Sequence, residues 1–270
     1  MTRQIDMDDY FQRIRWGGDV RHDLATLAGI VHAHMAHIPF ENLNVLLGWP
    51  VRLDLDSLQH KLVHASRGGY CFEHSTLLGA VLGQLGFEVE RKLARVTLKV
   101  PVSAAPRTHM FLVVTVPEGR FVVDAGFGGL APQHPLPLRH TPPEQHAQLT
   151  HWMTHEPPYW RMCAWSKGEL VEAWATTLEA EGPADFEMGN HFVATHPESV
   201  FVNRILLRAI TPTGRVTVMN RDATIWRGTE AESFELADRA ALNELLITHF
   251  GIDLPEVLTL RVPSIEAWSR

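Results

Sequence analysis

At 270 residues, with 45% hydrophobic and 20% charged side chains, the chain can bury a sizeable core in one or two domains and lies far from disordered compositions. A formal charge of -7 with no long basic run excludes a nucleic-acid binder that tracks phosphates, and favours a small-molecule partner. Two cysteines, Cys71 and Cys163, are too few for a disulfide framework, and the polar N-terminus and lack of any run of about 18 apolar residues leave no membrane partner and make the cytoplasm the expected location.

Leu24, Leu27, Ile30, Val31 and Met35 recur at helical spacing and predict a helix over Asp23 to Ala36. "DLDSLQHKLVHASRGG" predicts a second, with Asp56 or Ser57 as N-cap and Gly68-Gly69 as its stop. Leu77, Leu78, Val81, Leu82 and Leu85 mark a third, so residues 1–85 read as a helical bundle. The pattern then turns to sheet, with "LARVTLKV", "HMFLVVTV", "RFVVDAGF", "YWRMCAW" and "LVEAWATT" as short β-branched and aromatic runs. "GLAPQHPLPLRHTPPEQ", with five prolines, reads as a long surface loop. Residues 86–185 therefore form the β segment. Residues 186–270 mix "FVNRILLRAI", "RVTVMN" and "ATIWRG" with a helical "DRAALNELLITHFG", an α/β segment, and the chain as a whole reads as α+β.

Cys71 lies in "RGGYCFEHS", between glycines that permit a tight turn and a helix expected to start at Phe72 to His74. A thiol there sits beside unpaired amides at the positive end of a helix, which favours the thiolate. The plain alternative is a small buried hydrophobe, the usual state of a free cysteine. Deciding between them needs a base. Among sixteen histidines, His109 starts "HMFLVVTV", and "VPEG" suits a four-residue hairpin loop that pairs Thr115 with Arg120. Asp124 then lies opposite Phe111, on the face of His109 and diagonal to it, where an imidazole and a carboxylate can meet. Asp124 can equally be an edge-strand charge facing water. Cys163 reads as packing. His32, His34 and His37 point to different faces of a helix, and His60 and His64 share a face without a third ligand, so no metal site is expected.

"IPFENLNVLLG", "RGGYCFE", "PRTHM", "VVDAGFGG" and "ATHPESVFVNRILL" resemble, in that order and at similar separations, the arylamine N-acetyltransferases, from about Asp8 to beyond Asn220. The resemblance implies a helical bundle, a β-barrel and an α/β lid around a cysteine-protease-like Cys-His-Asp core, with Cys71 as acyl carrier and His109 and Asp124 as its catalytic partners. It implies acetyl-CoA as acyl donor, no metal, and an arylamine or hydrazine as acceptor, with arylhydroxylamine O-acetylation as a companion reaction. Gly126, Gly128 and Gly129 become candidates to lie beside the cofactor, and Phe40, Phe127 and Phe201 to line the acceptor pocket. Arg204, Arg215, Arg221 and Arg227 are candidates to meet the charges of CoA. The chain departs from the family pattern at Ser75, where Asn is frequent, a change expected to alter pocket polarity. A monomer or a homodimer is compatible with all of this.

Overall fold

The computed structural model describes residues 4–166 and 168–268, so the outermost residues of the expected 1–85 and 186–270 segments lie outside the described residues. Five helices come first: α1 (Met7–Ile14), α2 (Leu24–His37), α3 (Leu43–Leu46), α4 (Leu55–Leu58), which runs into a π turn at Gln59–His64, and α5 (Cys71–Gln84). Aspartates start three of them. Asp6 Oδ1 accepts the amides of Asp8 and Asp9, Asp23 Oδ1 that of Thr26, and Asp54 Oδ1 that of Ser57, each satisfying an otherwise unpartnered first-turn donor. The cap of α4 is therefore Asp54, two residues before the earlier of the two expected caps. Gly68-Gly69 is no tight turn either: the backbone runs extended, and Gly69 pairs in parallel with Phe40.

Seven strands follow, β1 (Glu88–Val96), β2 (Arg107–Val116), β3 (Gly119–Val123), β4 (Leu136–Pro137), β5 (His151–Glu156), β6 (Tyr159–Ser166) and β7 (Glu169–Thr176). They form one sheet in the order β4-β3-β2-β1-β7-β6-β5. Its two edges approach each other, and Thr141 N donates to Met153 O at 2.9 Å, so the sheet is nearly closed into a barrel. The hairpin register is as expected, with Thr115 opposite Arg120, but Val116 also pairs with Gly119, leaving only two residues in the turn. The proline-rich stretch is not all loop: Leu136–Pro137 pairs with Phe121 and Val122, and 3-10 turns form at Gly128–Leu130 and Pro143–Gln148.

The remaining elements are α6 (Pro183–Thr195), α7 (Val200–Asn203), a four-stranded antiparallel meander of β8 (Leu206–Thr211), β9 (Gly214–Met219), β10 (Asp222–Arg227) and β11 (Glu230–Glu235), and α8 (Arg239–Leu245). Leu207, Val216, Val218, Leu242, Leu246 and Trp268 share one core between that meander and the C-terminal helix. A larger core joins Leu27 and Ile30 of α2, Leu78 and Val81 of α5, and Leu112 and Val114 of β2. Packing α5 on β2 in this way brings the N-terminus of α5 to the start of β2, and β8 closes over the same place through a backbone bridge between Arg208 and Phe40. No helix among the described residues is long and apolar enough to cross a membrane.

Candidate active site

Cys71 is the first residue of α5, one position earlier than the sequence suggested, with Tyr70 as the extended N-cap residue. Its sulfur therefore lies beside first-turn amides that have no intrahelical acceptor. The loop before it stands on four charged side chains, three of them buried and the fourth, Lys61, 13% exposed. Glu73 Oε2 accepts the Tyr70 amide at 3.1 Å and Oε1 binds Lys61 Nζ at 2.7 Å; Glu41 Oε1 accepts both Nε and Nη2 of Arg67, at 3.1 and 2.6 Å. Lys61 joins the two pairs by reaching Glu41 at 3.7 Å. Burial works to raise the Glu41 carboxyl, but Lys61 and Arg67 outweigh it and hold it below the usual range. Glu73, with one cation and the like charge of Glu41 nearby, is left raised, chiefly by burial. Two carboxylates against two cations is an arrangement that a dry interior tolerates. The Tyr70 hydroxyl continues the support by donating to Asn190 Oδ1 of α6, whose Nδ2 donates to Val51 O at 3.0 Å.

His109 faces this loop from β2. In the β1–β2 ladder Ala94 pairs with His109 and Arg95 with Arg107, so Thr108 is the extra residue of a β-bulge, a device that re-aims the side chains next to it. Its carbonyl lies 4.0 Å from the Cys71 sulfur. Asp124 was expected inside a strand but follows the end of β3. It is no solvent-facing edge charge, because its side chain is fully buried and its Oδ2 accepts His109 Nε2 and Trp174 Nε1, both at 2.9 Å. With Nε2 committed to Asp124, Nδ1 is the nitrogen that remains for the thiol. Burial of the ring pushes its proton affinity down; the Asp124 charge and hydrogen bond, with the neighbouring Cys71 sulfur, reverse this and raise it above the ordinary 6.5. Such a set can hold the His109 ring as an imidazolium at neutral pH, beside the Cys71 sulfur.

The three phenylalanines gather around these groups. Phe127 sits edge-on to His109 with centroids 4.8 Å apart, and Phe201 packs against Phe40 at 6.3 Å and Tyr70 at 5.3 Å. Among the glycines, Gly126 is needed for close approach, since a Cβ there would lie 2.5 Å from the Cys71 Cα, and Gly128 has φ +65 with Phe40 against it. Gly129 alone is exposed, and a Cβ there would touch nothing.

Several supports were not legible in the sequence. The Ser75 hydroxyl is buried and donates to Met110 O at 2.9 Å, tying α5 to the residue after His109. His74, one turn along α5 from Cys71, has Nε2 3.2 Å from Pro39 O and Nδ1 2.8 Å from His34 Nε2; His34 Nδ1 is 2.8 Å from the Tyr10 hydroxyl. Because a carbonyl only accepts, His74 must donate through Nε2, so His34 donates to His74 and Tyr10 donates to His34. Cys163 packs in the barrel, where burial raises its thiol.

The N-acetyltransferase family model matches residues 23–259. The chain is 38% identical, over 94% of each sequence, to the arylamine N-acetyltransferase of Mycolicibacterium smegmatis. It belongs to the arylamine N-acetyltransferase family. A family member from Salmonella typhimurium, named arylamine N-acetyltransferase / N-hydroxyarylamine O-acetyltransferase, is 33% identical, with 86% of this chain and 84% of that one covered. The structure of the Mycobacterium marinum family member in complex with CoA superimposes with a TM-score of 0.86 at 34% identity, covering 93% of this chain and 94% of that one. Of the arginines singled out for a family ligand, Arg221 is paired with Glu235 at 3.1 Å and Arg227 with Glu232 at 3.0 Å, while Arg215 lies 4.4 Å over the Trp226 ring. Only Arg204 among the four has no such partner among the described residues.

Proposed function

We propose that this family member N-acetylates arylamines and arylhydrazines, and O-acetylates arylhydroxylamines, with acetyl-CoA as donor, through an acetyl thioester on Cys71. The observation that carries the reading is the chain of contacts from the first residue of α5 to His109 and from His109 Nε2 to Asp124 at 2.9 Å. The names of the relatives and the CoA complex of the M. marinum protein support the substrates.

In the first half-reaction the Cys71 thiolate attacks the thioester carbonyl of acetyl-CoA. The carbon–sulfur bond to CoA breaks, and the leaving thiolate takes the proton held on His109 Nδ1. In the second, the acceptor nitrogen attacks the acetyl-cysteine carbonyl, the Cys71 carbon–sulfur bond breaks, and His109 takes the nitrogen's proton, restoring the thiolate–imidazolium pair. The first-turn amides of α5 are the donors aimed at the developing oxyanion. Asp124 holds the ring in the orientation that presents Nδ1 and stabilises its charged form. The buried position of Cys71, 2% exposed, shields the thioester from water.

In this reading residues 1–85 carry the nucleophile, residues 86–185 carry His109 and Asp124, and residues 186–270 form the lid. Phe40, Phe127 and Phe201 line the acceptor pocket. Gly126, Gly128 and Gly129 run beside the CoA path, with exposed Gly129 the one free to approach it. Intact-protein mass spectrometry tests the core of the reading. Incubation with acetyl-CoA alone adds one acetyl group to Cys71, and adding an arylamine discharges it. Cys71→Ser abolishes both steps; arylamine acetylation at an undiminished rate in that variant overturns the reading.

A further inference from the structure

Arg208 stands out because the proposed mechanism makes no use of it, yet it is buried as deeply as the groups that react. It is 6% exposed and lies on β8, outside the segments that supply Cys71, His109 and Asp124. No carboxylate among the described residues lies within ion-pairing distance of it. Its Nη1 donates to two backbone carbonyls, Gly128 O at 2.6 Å and Ala131 O at 3.2 Å, and its Nε is buried without a partner. Burial lowers the guanidinium to about 10, with Arg215 adding to the effect and Asp124 opposing it, so the group stays cationic at neutral pH.

A buried cation met only by carbonyls is expensive, and an apolar side chain of similar volume would pack there at lower cost. A bound anion does not account for it, since the adjoining cavity, lined by Met35, Phe40, Ala125 and Ile210, has a volume of only about 10 Å³, room for a single water. What the guanidinium does hold is the turn at Gly128–Leu130. That turn follows directly on Gly126, which packs on Cys71, and Phe127, which packs on His109. The same residue's backbone grips Phe40 on both sides: Phe40 N donates to Arg208 O at 2.8 Å and Arg208 N to Phe40 O at 2.9 Å. Gly128 in turn presses against the Phe40 ring.

We infer that Arg208 is a positioning residue: a clamp by which the C-terminal meander fixes the 126–131 loop and Phe40 relative to each other, and so sets the acceptor side of the site. Nη1, held in the plane of a rigid guanidinium, reaches the Gly128 and Ala131 carbonyls together, which an aliphatic side chain cannot do and a lysine ammonium, on its flexible stem, does only as a point charge. The inference rests on the acceptor-pocket reading above for its kinetic consequence, but its structural content is independent of it.

The test compares Arg208→Met and Arg208→Lys with Val218→Ala, a core truncation in the same meander that leaves the loop untouched. Hydrogen exchange is followed over residues 126–131, alongside the rate of Cys71 acetylation and the KM for an arylamine. Both Arg208 variants are expected to exchange faster across 126–131, and Val218→Ala is not. The arylamine KM rises about tenfold in Arg208→Met, as for a positioning group remote from the chemistry, and by less in Arg208→Lys, while Cys71 acetylation per folded molecule changes several-fold less than KM. Unchanged exchange in the loop overturns the clamp, as does a loss in which both half-reactions fall by one factor matching that of Val218→Ala. If Arg208→Met does not fold, Arg208→Lys keeps the charge and decides by the same exchange readout. Should the wild type fail to acetylate Cys71, the thioester reading falls, and exchange over 126–131 still decides the clamp.

Discussion

Two pairs of buried groups, both within a turn or so of Cys71, treat protons in opposite ways. His109 is 2% exposed and His74 is 0% exposed, so burial alone would make both neutral. Beside His109 stands the Asp124 carboxylate, which reverses the effect of burial and raises the ring. Around His74 stand the carbonyls of Pro39 and Gly69, a second imidazole and, farther off, Lys61 and Glu41; burial dominates and lowers it to about 4, and His34 is also held well below 6.5 by burial, His74 and Arg13. The neighbour, not the depth, decides which imidazole can work as a base and which is a fixed link between α1, α2 and α5.

Removing the neighbour should break the contrast with the largest effect. Asp124→Asn is expected to slow Cys71 acetylation by about a hundred- to ten-thousand-fold, read as CoA release in a single turnover, and to bring the His109 titration back toward the ordinary range. A rate within threefold of wild type would mean that the carboxylate is not what raises the ring.

The next largest effect is on stability against pH. For His34 and His74 the folded values lie below the unfolded one, so as pH falls from 6.5 toward about 4 the unfolded chain binds protons that the folded chain refuses. Stability then falls by about 1.4 kcal/mol per pH unit for each group. His109 runs the other way: its folded value is raised, so its contribution is complete below 6.5 and is lost as pH rises through the raised value. Denaturant titrations at a series of pH values should show the acid slope, and His74→Gln should flatten it.

Trp174→Phe keeps an aromatic ring to stack on Phe111, now 4.5 Å away, but deletes the N–H bound to Asp124 together with part of a fully buried indole. A hydrogen bond to a charged group is worth about 1.5–3 kcal/mol and the cavity left by the lost ring atoms adds to it, so the variant should lose at least that much stability in a denaturant titration, with an altered pH–rate profile for acetylation. Ser75→Ala is the smallest change. It removes one neutral bond to Met110 O, costs about 1 kcal/mol, and should leave acceptor preference as it is; a changed preference across a panel of arylamines would restore Ser75 to the pocket.

Much of the site was legible in the chain because it depends on local order. The Pro-Glu-Gly turn sets the pairing of Thr115 with Arg120, and period-two alternation then puts Asp124 on the His109 side, whether or not the last pair is formally strand. Helical periodicity placed α2 and α5 for the same reason. The strands that escaped lack that pattern: β5 emerges from the proline-rich stretch, and every residue of β11, "EAESFE", is exposed, so no buried face marks it. The bulge at Thr108 leaves no local trace, since it exists only in the mismatch between two strands.

By itself, then, the sequence determined the helix start near Cys71 and the hairpin that brings Asp124 to the His109 side, both products of short-range stereochemistry, while the roles proposed for the three residues came from the family resemblance. Only the tertiary structure decided that Trp174 would donate to Asp124, that the Ser75 hydroxyl would bond to a strand, and that Arg208 would be buried against a loop 80 residues away. Those outcomes depend on which surfaces meet when α5, the barrel and the C-terminal meander pack together, and long-range packing is not written in the spacing of any one segment.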